Sequence, residues 1–321
     1  MAVVEYLRIW RIEHWLKNVF IVFGHAVAIV LFHNLAVTPG QVGAALLSLV
    51  PACLVASANY ILNEILDAPF DKLHPTKRLR GIPAGRVRVP WLWLHMGLLA
   101  VIGFALAWWW FPNRGYTVAL ALLLLSGLVY NVPPVRLKDR AFLDVVAESF
   151  NNPVRLWIGW YALLPAGASA LPPLSITLAW WFFGALLMTG KRYAEFRFID
   201  DKDLSGRYRK SFRTYNQQTL VIAMITYANL FCFCTGVAMA SYPALHNLVL
   251  VFPMIVVAVV AYFHYALSET GARLEPEKLL QNKWIILCTL LTALGAVALL
   301  HAHRTGAFEV KSALKLMQPR W

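Results

Sequence analysis

Asn63-Glu64-Ile-Leu-Asp67-Ala-Pro69-Phe-Asp71-Lys72-Leu-His74-Pro-Thr-Lys77-Arg78-Leu-Arg80-Gly81-Ile-Pro-Ala-Gly-Arg86-Val-Arg88 is the stretch where this chain turns from apolar to charged. Asn63, Asp67 and Asp71 stand at i, i+4 and i+8, so a helix would set three oxygen-bearing side chains in one row. Six cations follow within the stretch: Lys72, Lys77, Arg78, Arg80, Arg86 and Arg88. Oxygen donors able to hold Mg²⁺ beside bases able to hold phosphate form the two halves of a site for a diphosphate substrate. In a soluble protein the same residues would read as a solvated loop whose charges neutralise one another. Here the flanking sequence is apolar enough for lipid, and ionisable groups in that setting mark function.

The chain of 321 residues is 60% hydrophobic and 14% charged, with 13 Trp. A soluble domain carries about 25% charged residues. Long apolar runs recur from end to end, which makes the chain all-α and a polytopic membrane protein. Nine spans are expected, at about 16–36, 41–62, 90–111, 116–134, 141–163, 174–192, 217–240, 246–267 and 284–303. Each is near 20 residues, the length that crosses a hydrocarbon core of about 30 Å. The fifth is the least regular, since it opens with Asp144 and Glu148 and contains Arg155. One integral-membrane domain over 1–321 is expected, with a short interfacial helix over 1–15 and a tail over 304–321. The start lacks a compact apolar stretch with a small-residue cleavage site, so no cleavable signal is expected. Cys53, Cys232, Cys234 and Cys288 all fall in apolar runs and propose neither a disulfide framework nor a zinc site.

The formal charge of +13 admits nucleic acid or a membrane with an anionic substrate. Spans this apolar select the second, and no nucleic-acid partner is expected. Segments 63–89, 135–140, 193–216 and 268–283 carry most of the Lys and Arg, whereas the turns on the other side carry one base, Arg114. The positive-inside rule then places the N-terminus and every chemistry-bearing loop on the cytoplasmic face of the inner membrane, with the C-terminus outside.

Three further stretches carry charge. Arg8-Ile-Trp-Arg11-Ile-Glu-His14-Trp15-Leu-Lys17-Asn18 reads as an interfacial amphipathic helix whose bases face lipid headgroups. Alternatively, Lys17 and Asn18 reach the mouth of the site. Arg136, Lys138 and Arg140 precede Asp144, Glu148, Asn151 and Arg155, whose 4, 3, 4 spacing puts one polar stripe on a helical face. That stripe is expected to line a cavity; interhelical hydrogen bonds are the other explanation. Gly190-Lys191-Arg192-Tyr193-Ala-Glu195 begins inside an apolar span and runs into Asp200-Asp201-Lys202-Asp203, Arg207 and Arg209. Lys191, Arg192, Tyr193 and Glu195 are expected at a site; from Arg207 onward an ordinary basic loop is expected. The loop 268–283 is assigned no chemistry.

Nine spans with an N-x-x-x-D-x-x-x-D element after the second resemble the UbiA-type intramembrane prenyltransferases, over nearly the whole chain. Trp15-Leu-Lys17-Asn18, His74-Pro-Thr-Lys77-Arg78-x-Arg80 and Gly190-Lys191-Arg192-Tyr193-Ala-Glu195 are closer to one branch, the decaprenyl-phosphate phosphoribosyltransferases. The resemblance implies a helical bundle with a cavity open to the cytoplasmic side. Mg²⁺ would be held by Asn63, Asp67 and Asp71, with Glu64 as a further candidate ligand. Lys77, Arg78, Arg80, Lys191 and Arg192 would bind phosphates, and Lys17, Lys138, Asp144, Arg155 and Tyr193 would also line the substrate site. Asn63, Asp67, Asp71 and Glu195 would be catalytic. The implied partners are phosphoribosyl diphosphate, a polyprenyl phosphate and the lipid bilayer, and a homo-oligomer is compatible with them. Two departures stand out. Glu64 replaces the family's usual Asp, and Gly81 stands where the family carries Pro. Pro69 inside the acid row predicts that the helix kinks or ends there, leaving Asp71 to be reached by a loop. A second reading is an aromatic prenyltransferase using an allylic diphosphate, which would want a second acid-rich element near 195–203. A transporter is disfavoured, because charge crowds one face and no pair of half-broken midplane helices is evident.

Overall fold

A computed structural model describes residues 2–72, 77–198, 210–268 and 282–310. Among them every regular element is helical. The chain groups into two compact units, one formed by Met1–Pro172 with Ile199–Tyr215, the other by Pro173–Phe198 with Asn216–Trp321.

The first unit contains α1 (Ala2–Ile9), α2 (Val19–Leu31), α3 (Pro39–Asp71), α4 (Val89–Trp110), α5 (Arg114–Asn131), α6 (Leu143–Ser149) and α7 (Asn151–Leu163). The long helix α3 starts on a full capping box, in which Thr38 and Gln41 bond each other's backbone amides and Pro39 takes the first turn. It runs for 33 residues, about 50 Å at 1.5 Å per residue. A hydrocarbon core of about 30 Å cannot cover that length, so one end of α3 leaves the membrane. That end carries the acid row. The helix continues to Asp71, two residues past Pro69, so it does not end at the proline and Asp71 is helical. The proline removes one amide, opposite Ile65, in a helix already anchored by packing along its length, and transmembrane helices tolerate such a loss.

The core of this unit is packed from Ile21, Val55, Phe111, Tyr116, Leu120, Leu123, Val154 and Ile158. Helices α2 and α7 touch backbone to backbone. A Cβ on Gly24 would sit 2.1 Å from the Leu156 carbonyl oxygen, and one on Gly159 would sit 2.1 Å from that of Ile21. Small residues permit this approach, and van der Waals contact holds it where no hydrophobic force separates helix from lipid. The fifth expected span is present as two pieces, α6 of 7 residues and α7 of 13, meeting at Phe150. Pro153 explains the join, since it has no amide for the Ser149 carbonyl.

Helix α4 marks the depth of the bilayer. Trp91 and Trp93 are exposed at one end and Trp108, Trp109 and Trp110 at the other, about 26 Å apart along the axis. Indole rings gather at both membrane interfaces, and this spacing matches a hydrocarbon core. Since α4 follows the acid-bearing end of α3, the acid row belongs with the Trp91 interface.

The second unit contains α8 (Leu174–Phe198), α9 (Gln217–Ser241), α10 (Phe252–Leu267) and α11 (Lys283–Thr305), with a 3-10 turn over Pro243–Val251. Helix α8 packs along α9, and α10 packs on α11. Tyr262 fits over Gly190, where a Cβ would meet its hydroxyl at 2.0 Å. Among the described residues, eight helical stretches are long and apolar enough to cross a membrane. The fifth of the nine expected spans is not among them, its residues being divided between α6 and α7.

The expected interfacial helix over 1–15 is divided too. Helix α1 ends at Ile9 and a 3-10 turn covers Ile12–Asn18, with Arg11 between them at a left-handed φ of 51°.

Candidate active site

Helical geometry sorts the acids of α3 before any partner is considered. At 100° per residue, Asp67 lies about 40° around the axis from Asn63, while Glu64 and Asp71 lie within about 20° of each other. The row therefore drifts into two edges, Asn63 with Asp67 and Glu64 with Asp71. Each edge meets its own cations.

On the first edge, the Lys138 ammonium bonds Asp67 and the side-chain oxygen of Asn131, the latter at 2.8 Å, and lies 3.5 Å from Asn63 Oδ1. Lys138 is only 5% exposed. A buried ammonium is costly unless paired, and Asp67 supplies the charge. Arg136 Nη2 stands 3.4 Å from Asp67 Oδ1, with its guanidinium 5.0 Å above the Phe70 ring and 3.3 Å from Asp139. Both bases come from the short link after α5, where Arg136 holds a φ of 30° just before the 3-10 turn Leu137–Asp139. Lys210 approaches Asp139 at 3.5 Å.

On the second edge, Arg80 Nη1 lies 3.0 Å from Asp71 Oδ2 and 3.4 Å from Glu64 Oε2. Arg11 Nη2 meets the same Glu64 oxygen at 2.7 Å. Glu64 is 3% exposed. Four cations thus converge on three carboxylates and one amide. Arg11 and Arg136 were not among the expected site residues. Both lie in short connections at left-handed φ, which periodicity does not register.

The other expected residues are placed as follows. The backbones of Lys17 and Lys77 lie in the 3-10 turns Ile12–Asn18 and Lys77–Leu79, and the Arg78 side chain is exposed. His74 and its neighbours, and Asp200 to Arg209, lie outside the described residues. Members of the polar stripe all bond within the bundle. Asp144 accepts from the Tyr215 hydroxyl and, at 3.3 Å, from Ser211. Glu148 accepts from Tyr130 at 2.9 Å, and Asn151 accepts from Ser126 at 2.6 Å. Arg155 Nε donates to Asn18 Oδ1 at 2.9 Å, and Asn18 in turn donates to the Cys53 sulfur at 3.1 Å. These are interhelical hydrogen bonds, the alternative explanation of the stripe. Lys191, Arg192, Tyr193 and Glu195 belong to α8 in the second unit. There Arg192, 1% exposed, pairs with Glu195 at 2.9 Å, and Arg197 lies 5.6 Å over the Tyr193 ring.

Among the described residues no three His, Cys, Asp or Glu side chains converge as a ready metal cage. The donor set of α3 nonetheless suits Mg²⁺. All its atoms are hard oxygens, and Mg²⁺ takes one or two carboxylates together with substrate phosphates and water, without an all-protein cage.

Residues 21–287 match the UbiA prenyltransferase family. The chain belongs to the UbiA prenyltransferase family. It is 30% identical over 234 residues to the decaprenyl-phosphate phosphoribosyltransferase of Mycolicibacterium smegmatis, an overlap of 70% of this chain and 67% of the relative. Against the enzyme of that name from Mycobacterium tuberculosis it is 30% identical over 192 residues, 57% of either chain. Among solved structures, a UbiA homolog from Archaeoglobus fulgidus bound to GPP and Mg²⁺ superposes with a TM-score of 0.67, covering 94% of this chain and 99% of that one at 18% identity. The UbiA member described here is accordingly a multi-pass, all-helical membrane transferase.

Proposed function

We propose that this UbiA-family protein transfers a 5-phosphoribosyl group from phosphoribosyl diphosphate to a polyprenyl phosphate such as decaprenyl phosphate, releasing diphosphate. The product is a lipid-linked phosphoribose, the class of donor used to build cell-wall arabinan. The observation that carries the reading is the surplus of cations at the acid row. Arg11, Arg80, Arg136, Lys138 and Lys210 outnumber the four carboxylates they pair with, Glu64, Asp67, Asp71 and Asp139. The two substrates together bring a diphosphate, a 5-phosphate and a lipid phosphate. An allylic diphosphate with an aromatic acceptor brings far less negative charge. The similarity to the two phosphoribosyltransferases supports the same choice.

Asn63, Asp67 and Asp71 would hold Mg²⁺, which when bound offsets the charge of the diphosphate and makes it a better leaving group. The chain's own residues do the rest. Arg80 and Arg136 grip phosphate oxygens with planar forks, and Lys138 supplies a point charge beside Asp67. As the C1–O bond to diphosphate breaks, its electron pair leaves with the diphosphate and oxocarbenium-like charge develops at ribose C1. The lipid phosphate oxygen forms the new bond to C1. No side chain needs to bond covalently to substrate. The residues position anions and stabilise charge. Lys191, Arg192, Tyr193 and Glu195 are assigned to phosphate and ribose binding, Lys17, Lys77 and Arg78 to further phosphate contacts, and Asp144 and Arg155 to positioning the helices behind them. The site opens to the cytoplasmic leaflet.

The test is to incubate purified protein and Mg²⁺ with phosphoribosyl diphosphate and a polyprenyl phosphate, and to identify the lipid product by mass. A mass gain of one phosphoribosyl group is expected. Prenylation of 4-hydroxybenzoate from geranyl diphosphate, with no phosphoribosyl product, would overturn the proposal in favour of an aromatic prenyltransferase.

A further inference from the structure

The N-terminal segment is tied to the rim of the acid row. Glu5 pairs with Arg86 at 3.3 Å, the Tyr6 hydroxyl accepts from the Arg88 amide at 2.9 Å, and Ile9 is buried beside Val87 and Leu92. Two residues past α1 the backbone passes through the left-handed region at Arg11 and delivers its guanidinium to Glu64. A non-glycine residue keeps that conformation only where its surroundings over-determine it, and such residues gather at functional sites. Arg136 at φ 30° behaves in the same way, and its guanidinium also reaches the acids of α3.

Glu64 Oε2 is the single atom approached by Arg11 and Arg80, whose positions lie 53 and 16 residues from it in sequence. A carboxylate oxygen between two guanidinium groups is spent on holding them. Around the helix Glu64 stands about 100° from Asn63 and about 60° from Asp67, a larger offset from that edge than the roughly 80° and 40° of Asp71. Among the described residues, Arg11 commits one Nη2 hydrogen to Glu64 and otherwise lies 5.8 Å over the Tyr60 ring. A guanidinium carries five N–H donors in a fixed fork, so donors remain for a second anion beside the acid row.

We propose that Arg11 is a diphosphate-binding residue and that Glu64 is its positioning carboxylate, not a ligand of Mg²⁺. The N-terminal segment is then a strap that completes the site. This rests on the diphosphate-donor part of the proposed function and is indifferent to which group the donor transfers.

The test is equilibrium binding of inorganic pyrophosphate with Mg²⁺ to the full-length protein, comparing wild type with Arg11→Gln, Arg11→Lys, Glu64→Gln and the Arg11→Gln/Glu64→Gln pair. Arg11→Gln should weaken pyrophosphate binding tenfold or more. Glu64→Gln should weaken it severalfold, with the Mg²⁺ concentration for half-saturation unchanged. The pair should lose less than the product of the two single losses, because Arg11 and Glu64 act as one unit, with any loss beyond that of Arg11→Gln coming through Arg80, which Glu64 also holds. Should Arg11→Gln fail to fold, Arg11→Lys keeps the pair with Glu64 and decides the matter. It should bind at least threefold more weakly, for want of the planar fork. Wild-type affinity in Arg11→Gln, or in Arg11→Lys where that variant decides, would overturn the proposal. So would a raised Mg²⁺ requirement in Glu64→Gln with unchanged affinity at saturating Mg²⁺, or no pyrophosphate binding by the wild type. A wild type that binds pyrophosphate but transfers nothing from phosphoribosyl diphosphate would overturn the phosphoribosyl reading alone.

Discussion

Asp67 does two jobs. It is an oxygen donor of the row, and it is the counter-charge of the buried Lys138. Asp67→Ala should abolish turnover and also destabilise the protein, since removing one partner of a buried pair costs about 3–5 kcal/mol. Lys138 keeps its bond to Asn131, which places the loss toward the lower figure. Asp67→Asn should retain most of the stability and still abolish turnover. Adding Lys138→Met to Asp67→Asn should restore the unfolding midpoint without restoring activity, because well-packed apolar groups replace such pairs at little cost. Thermal unfolding in detergent beside a product assay checks both halves. Restored turnover in the double variant would remove Asp67 from the reaction. Arg80, by comparison, is about one-third exposed. Arg80→Ala should weaken donor binding more than it weakens the fold.

At the scale of elements, the contact between α2 and α7 has no slack. The atoms opposing Gly24 and Gly159 are backbone atoms, which cannot rotate away. Gly159→Ala should force the helices apart and cost about 1–3 kcal/mol. Gly236 in α9 has nothing within 4 Å of an added Cβ. Gly236→Ala should be neutral or raise stability by up to about 1 kcal/mol, since alanine is the better helix former. The two unfolding midpoints should move in opposite directions or differ clearly. Equal shifts would mean that the α2–α7 approach is looser than described. Helix α3 makes a related point. Its excess length over the bilayer carries the acids out to the interface, the depth at which the proposed reaction needs them.

For the whole molecule, the distribution of Lys and Arg and the two belts of Trp on α4 bear on orientation and depth. If the positive-inside reading holds, Arg78 faces the cytoplasm and Arg114 the opposite side. Single cysteines at these positions, probed in intact cells with a membrane-impermeant thiol reagent, should label at 114 and stay unlabelled at 78 until the membrane is opened. The native cysteines lie in apolar helices and two of them are buried, which keeps background low. Labelling at 78 in intact cells would reverse the orientation and move the proposed site away from cytoplasmic phosphoribosyl diphosphate.

The order of residues was enough for the fold class and for the stretches where charge interrupts apolar sequence. Lipid demands about 20 apolar residues per crossing, and charge placed in such a chain is too costly to be incidental. Asn63, Asp67 and Asp71 were legible from spacing, as were the bases that follow them. Tertiary structure decided the partners. Arg11 and Arg136 approach the row from 53 and 69 residues away, in connections with no periodicity to read. It also turned the stripe from Asp144 to Arg155 into hydrogen bonds with Tyr215, Tyr130, Ser126 and Asn18, on segments that spacing could not bring together. Glu64 shows the physical reason most plainly. Its place in the sequence marks it as a neighbour of Asn63, but 100° of helical rotation hands it to Arg80 and Arg11.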